Sequence, residues 1–241
     1  MKVPSRWMRR RLASVVTTIF ILVAAIVALA LIFKSAKLDT AKMFLAVIAS
    51  ISRISVAYVL SLGAALLFAV MMAKSKLLEN LLLPVFDLFQ SIPGLAILPL
   101  AVIYFGKGNT TAIFIIFLAM FWTMLFTIIG TLKGLKEDLS EAATIFGATG
   151  WKRFRYFTMP ALLPAIITAS IISWGAGWEI IIAAEIIGIS TGIGAFLNTA
   201  SESGQTSLVV VGIMVLAIVV FMINKFIWLP LLHKTTKYQT E

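Results

Sequence analysis

Two carboxylates inside an apolar run are the side chains of this sequence best placed to do chemistry. Glu179 and Glu185 lie in "WEIIIAAE", and a carboxylate within an apolar segment is costly enough to mark a functional site. The chain has no cysteine, and its single histidine, His233, lies in the basic carboxy-terminal tail. Thiolate metal sites, disulfides and a Ser-His-Asp triad therefore have no support. The sequence predicts neither a catalytic residue nor a bound metal.

A phosphate-binding loop is also missing from the sequence. Such a loop needs a glycine, four further residues, and then Gly-Lys-Ser or Gly-Lys-Thr, so that backbone N–H groups can surround the phosphates. The stretch "FGKGNTT" at 105–111 has similar residues in another order, and we interpret it as a tight turn. The sequence predicts that this chain binds no cofactor.

The composition indicates the class of protein to which these residues belong. Of 241 residues, 61% are hydrophobic and 12% are charged, and the mean hydropathy is +1.06. A bilayer core of about 30 Å needs roughly 20 apolar residues of helix to cross it. The apolar runs are unbroken, whereas lipid-facing strands would alternate. We therefore predict an all-α integral membrane protein.

Six apolar runs are long enough to be transmembrane helices. They lie near 13–33, 54–73, 84–105, 110–130, 161–187 and 207–229. The first is too long for a signal peptide and has no cleavage site before a soluble domain, so we expect it to remain as a helix. Residues 34–53 are expected to start a helix lying at the membrane interface before the second span.

The net charge of +10 predicts the orientation of these spans. If both termini lie on one side, that side receives 15 of the 20 lysines and arginines and the other side receives five. The positive-inside rule then predicts cytoplasmic termini in the cell membrane. Nucleic-acid binding is disfavoured, because the basic residues are spread over separate segments without aromatic platforms.

The largest cytoplasmic segment, 131–160, contains "EAATIFGATGWKRFRYFTMP". Its pattern predicts an amphipathic helix that ends at Gly147, then a second short helix, and then a fifth span that starts at Pro160. From composition alone, a connector held at lipid headgroups by its arginines is an equally good interpretation.

The spacing in this segment resembles the EAA loop of permease subunits in binding-protein-dependent ABC importers. Glu141, Ala142 and Ala143 are followed after three residues by Gly147, and Pro160 closes the pattern. Phe157 and Met159 stand where the usual pattern has isoleucine and leucine. The stretches 89–106, 178–185 and 190–216 extend the likeness over about 50–232, to the nitrate, sulfonate and taurine branch. Glu179 departs from that branch, which usually has an apolar residue there.

This resemblance implies a single transmembrane permease domain over 1–241 with the type I ABC importer fold. It also implies a second permease copy, two cytoplasmic ATPase subunits that hold ATP and Mg²⁺, and an extracytoplasmic solute-binding protein. In such importers the EAA loop is the coupling helix that docks on the ATPase. The coupling residues carried over are Glu141, Ala142, Ala143, Gly147 and Pro160.

Irregular or polar positions within the spans are candidates for the translocation pathway. In the third span, Pro84, Pro93, Gly94 and Pro99 are expected to break the hydrogen-bond ladder, which makes Gln90 and Ser91 candidate lining residues. A kink that only shapes helix packing is an equal alternative. In the fifth span the candidates are Trp178, Glu179 and Glu185, with Glu185 expected near the outer interface.

The residues leave the cargo open. No lysine or arginine lies deep within spans three to six, so no fixed cation would hold an anion tightly. A nitrate-, sulfonate- or taurine-like solute, or a vitamin precursor such as a pyrimidine, is compatible with delivery by an external binding protein. The alternative function is a stand-alone channel or secondary transporter.

Overall fold

The computed structural model describes residues 39–134, 145, 147 and 149–236. All regular secondary structure in these ranges is helical, which confirms the predicted all-α class. The helices are α1 (Thr40–Lys74), α2 (Lys76–Gln90), α3 (Gly94–Phe105), α4 (Asn109–Lys133), α5 (Gly150–Gly188), α6 (Ile193–Glu202) and α7 (Thr206–Thr235). The predicted first span, 13–33, and Glu141, Ala142 and Ala143 of the predicted coupling loop lie outside the described residues.

Helix α1 is longer than the predicted second span. Asp39 caps it by accepting a hydrogen bond from the Lys42 backbone N–H at 3.2 Å, and the helix then runs for 35 residues. No glycine or proline occurs between Thr40 and Leu62, so nothing in the sequence ends the helix before the span begins. The described part of the predicted interfacial helix, 40–53, is therefore continuous with the membrane-spanning helix.

The core is built around α4, which packs between α1 and α5. Its fully buried side chains include Ile115, Ile116, Met120, Met124, Leu125 and Ile128. Helix α1 offers Ala57, Ala65 and Ala69 to this core, and small residues let membrane helices approach closely. Ser61 Oγ also donates to the Phe117 carbonyl at 2.9 Å, which satisfies a polar group at the interface of α1 and α4.

The predicted third span is broken once, between α2 and α3. The two helices meet at an angle of 92° across Ser91, Ile92 and Pro93. A proline disfavours helical geometry in the residue before it, and Pro93 itself has the extended values φ −57° and ψ 127°. Pro84 and Pro99 were also expected to break the ladder, but they lie inside α2 and α3 and end neither helix. We call residues 91–94 the hinge.

Helix α5 corrects the predicted role of Pro160. Gly150–Arg153 is α-helical, Phe154–Thr158 forms a π-helical turn, and Met159–Gly188 continues as α-helix. The Met159 N–H donates to the Phe154 carbonyl, five residues back, so the widened turn carries the chain past a proline that lacks an N–H. The predictions of a separate short helix and of a span that begins at Pro160 are both wrong.

Among the described residues, four helices are long and apolar enough to cross a membrane, or five spans if α2 and α3 count as one. They contain the predicted second to sixth spans. We call the end of the bundle that carries Asn109 and Gly188 the Asn109 end. The opposite end, which carries Lys74, Lys133 and Gly150, is the Lys133 end.

Candidate translocation site

A groove of about 410 Å³ lies beside the hinge. Gln90, Pro93 and Gly94 line one side, and the middle of α4 lines the other with Trp122, Thr123, Phe126 and Thr127. Gln90 Nε2 donates to Asp87 Oδ1 at 2.6 Å, and Ser91 Oγ donates to the Asp87 carbonyl at 2.9 Å. Gln90, Ser91 and Pro93 are exposed. The groove at the hinge is therefore lined partly by polar groups, and it lies at the same depth as the middle of α4.

Contacts between α3 and α5 show the depth at which Glu179 lies. Ile180 Cδ1 lies 3.9 Å from the position that an added Cβ would take at Gly94. Val102 Cγ2 lies 3.8 Å from the position that an added Cβ would take at Gly188. Eight residues separate the two contacts on each helix, so α3 runs parallel to the last part of α5. Glu179 directly precedes Ile180 and therefore lies level with the hinge, about 13 Å along α5 from Gly188.

Trp178 and Glu179 lie on different faces of α5. Trp178 is 5% exposed and packs in the core, and its Nε1–H has no acceptor among the described residues. Glu179 is exposed, as are Ile172 and Gly175 on the same face. Of the three candidates in the fifth span, only Glu179 is both close to the hinge in depth and accessible.

Glu185 lies three residues before the end of α5, and it is fully buried. It is 0% exposed, and its Oε1 accepts a hydrogen bond from Arg53 Nη1 at 2.6 Å. Arg53 is itself only 5% exposed. A buried carboxylate needs a charged or hydrogen-bonding partner to offset the loss of hydration, which is why these two side chains meet.

Several further hydrogen bonds surround this ion pair. Ser50 Oγ lies 2.7 and 2.9 Å from the two carboxylate oxygens, and the Gly194 N–H donates to Oε2 at 2.8 Å. Arg53 also donates to Asn109 Oδ1 at 2.8 Å and to the Thr191 carbonyl at 2.8 Å. We call Ser50, Arg53, Asn109, Glu185, Thr191 and Gly194 the clamp. It fastens α1, α4, α5 and α6 to one another at the Asn109 end.

Two glycines allow the clamp to close. Gly192 has φ +113°, and a Cβ there would overlap the Glu185 carboxylate. A Cβ on Gly194 would lie 3.0 Å from Glu185 Cβ. The sequence predicted a glycine-rich turn between the fifth and sixth spans. It indicated neither Ser50 and Arg53 as partners of Glu185 nor Asn109 and Thr191 as partners of Arg53. An arginine beside the second apolar run was the available signal, since charges at membrane depth pair with each other.

At the Lys133 end, the described part of the predicted coupling loop is exposed. Gly147 has φ +75°, and no described atom lies near the position of a Cβ, as expected for a residue that ends a helix. Ile145 and Trp151 are 83% and 73% exposed. The structure thus leaves large apolar side chains uncovered on both sides of Gly147.

Comparison with known proteins identifies the family. Residues 61–229 match the family described as binding-protein-dependent transport system inner membrane component. The taurine transport system permease protein of Escherichia coli (strain K12) is 34% identical over 180 residues, which are 73% of this chain and 64% of that protein. The nitrate import permease protein of Leptolyngbya laminosa is 28% identical over 185 residues, which are 77% of this chain and 66% of that protein.

A bicarbonate transport system permease protein of Synechococcus elongatus is also similar, with 27% identity over 190 residues, 78% of this chain and 68% of that protein. The match thus covers slightly less than two thirds of the taurine and nitrate permeases. The family match contains the hinge, Glu179, the buried Glu185 and the segment with the EAA-type spacing. The chain belongs to the binding-protein-dependent transport system inner membrane component family, the permeases of ABC importers, in the branch to which the taurine and nitrate permeases belong.

Proposed function

We propose that this chain is the pore subunit of an ATP-driven importer, and that a separate cytoplasmic ATPase drives it through the segment 141–160. The sequence contains no phosphate-binding loop, and the proposal assigns ATP hydrolysis to another subunit. A small solute is handed to the pore by an extracytoplasmic binding protein. Membership of the family supports this assignment.

One observation carries the coupling proposal. The EAA-type spacing falls in the segment whose described part leaves Ile145 and Trp151 exposed beside Gly147. Apolar side chains next to a basic loop form a surface that a partner protein can cover. The proposed occupant is the ATPase subunit, which would contact Glu141, Ala142 and Ala143, while Gly147 sets the turn and the rigid helix α5 beyond Pro160 transmits the motion.

The proposed pathway passes the hinge and the exposed face of α5. Gln90, Ser91, Pro93, Gly94 and Glu179 are its proposed lining residues, because they are accessible at one depth. Trp178 packs in the core behind the proposed lining, and Glu185 holds helices together at the Asn109 end. In the proposed orientation the Asn109 end is extracytoplasmic and the Lys133 end, like both termini, is cytoplasmic, which agrees with the distribution of basic residues.

The proposed assembly contains a second copy of this chain, two ATPase subunits and the binding protein, in the cell inner membrane. The cargo is proposed to be a small solute. The names of the relatives include taurine, nitrate and bicarbonate, and a vitamin precursor such as a pyrimidine also remains within the proposal.

Changing Gly147 tests the coupling proposal. Gly147→Ala places a Cβ at φ +75°, which forces the turn to change shape and should weaken capture of the co-expressed ATPase subunit about tenfold. Glu141→Gln, which removes only a charge, should also weaken capture. The measurement is the amount of ATPase subunit that co-purifies with the membrane-extracted chain.

Gly106→Ala is the matched control for this experiment. Gly106 has φ +74° and open space around the position of its Cβ, but it lies at the Asn109 end. The φ angle is therefore matched, and the ATPase should still be captured. Equal capture by Gly147→Ala, Glu141→Gln and the unaltered chain would contradict coupling through this segment.

A further inference from the structure

Glu179 differs from every other carboxylate that the structure describes, because it has no partner. Asp39 pairs with Lys42, Glu79 with Lys133 and Glu185 with Arg53. Asp87 accepts a hydrogen bond from Gln90, and Glu202 accepts one from Asn198. Within the described residues, Glu179 has no hydrogen bond or ion pair, and it is exposed about 13 Å from the Gly188 end of a membrane-spanning helix.

The face of α5 that carries Glu179 is exposed along much of the helix. Thr168, Ile172, Gly175, Glu179 and Ile186 are exposed at helical spacing, whereas Trp174, Trp178 and Ile181 on the other side are buried. A carboxylate that faced hydrocarbon would cost several kcal/mol. This face therefore has to border water, a polar solute or polar groups of another segment or chain, and the hinge lies at the same depth.

No cation in the described spans is available to neutralise Glu179 at that depth. The sequence has no lysine or arginine in 54–73, 77–106, 108–132 or 156–224. Arg53 is held by Glu185, Asn109 and Thr191 at the Asn109 end. Among the described residues, no charge therefore offsets that of Glu179 along this face, and an uncompensated carboxylate attracts cations and repels anions.

We propose that Glu179 is a specificity-determining residue that contacts the cargo, and that the cargo carries a cationic nitrogen. This inference rests on the proposed function, since it places Glu179 in the pathway of the importer. A fixed carboxylate raises the local concentration of a solute with an ammonium-type group and lowers that of a simple anion such as nitrate. A passing cation also supplies the charge partner that the described spans do not.

The chain contains no cysteine, so one introduced cysteine can report on this face alone. Gly175 lies one turn from Glu179 on the exposed face, in a helix and with no described atom within 4 Å of the position of a Cβ, so Gly175→Cys is sterically tolerated. In lipid nanodiscs, we would measure its reaction rate with two methanethiosulfonates of similar size, the cationic ethyltrimethylammonium and the anionic sulfonatoethyl reagent. Both reagents also serve as small model solutes.

The cationic reagent is expected to react faster, and adding Glu179→Gln should lower the ratio of cationic to anionic rates about tenfold. Glu202→Gln, which removes an exposed carboxylate from α6, should leave the ratio unchanged. A ratio that does not respond to Glu179→Gln would overturn the proposal, and so would a cysteine that reacts with neither reagent. The assay needs no ATPase, so failure of the coupling experiment and failure of this one are separate results.

Discussion

Replacing Arg53 with methionine is expected to destabilise the bundle strongly, and more than any of the other substitutions proposed for this chain. Glu185 would keep its place in the core but lose the cation that pairs with it, and removing one member of a buried ion pair typically costs about 3–5 kcal/mol. For a chain of this size that corresponds to a fall of about 10 °C in the apparent melting temperature in detergent. Thermal unfolding followed by size-exclusion chromatography measures it.

A comparison of the stability lost in the single and double variants makes this prediction specific. Arg53→Met combined with Glu185→Met removes both charges, so it should recover much of the loss caused by either change alone. Ser50→Ala removes a hydrogen bond to Glu185 and should cost about 1–3 kcal/mol, which leaves folded protein to measure. Glu202→Gln, on the exposed carboxylate of α6, is the control and should change little. Additive losses in the double variant would show that the two charges do not stabilise each other.

Replacing Gly192 with alanine is expected to rank second in its effect on stability. The residue would adopt φ +113°, and its Cβ would collide with the Glu185 carboxylate, so the clamp would have to open. Backbone strain of this kind costs about 1–3 kcal/mol, and displacing Glu185 from its hydrogen bonds adds to it. The apparent melting temperature in detergent should therefore fall by about 5–10 °C.

Gly204→Ala separates the cost of backbone strain from the cost of the collision with Glu185. Gly204 has φ +66°, but no described atom lies within 4 Å of the position of its Cβ, so this variant reports backbone strain alone. We expect Gly192→Ala to be clearly less stable than Gly204→Ala, and Glu185→Ala to remove most of the added cost of Gly192→Ala. If the two glycine variants were equally stable, the proposed collision with Glu185 would not exist.

The spans were predictable because their cause is local. An apolar run of about 20 residues has few ways to satisfy its backbone polar groups in a bilayer other than as a helix. The hinge at Pro93 was predictable for the same reason, since a proline restricts the residue before it. Pro160 misled the prediction because a π-helical turn, which the sequence pattern did not signal, carries α5 past it.

The clamp was not predictable, because its members are distant in the sequence. Arg53 and Glu185 are separated by 132 positions, and no pattern near either residue indicates that the two side chains pair. The sequence around Glu185 indicated neither its burial nor its ion pair with Arg53. The depth of Glu179 followed from its place in an apolar run, but only the structure distinguishes its exposed face from the buried face of Trp178.

Reconstitution in liposomes tests whether this chain works as a pore driven by a separate ATPase. The chain would be combined with the proposed ATPase subunit and binding protein, and ATP hydrolysis and solute leakage would be measured together. We expect no hydrolysis by the chain alone, and hydrolysis by the assembly that rises when the binding protein is added and falls with Gly147→Ala. Gradient-driven flux through the chain alone, together with no effect of the chain on the ATPase, would show instead that it is a stand-alone channel or carrier.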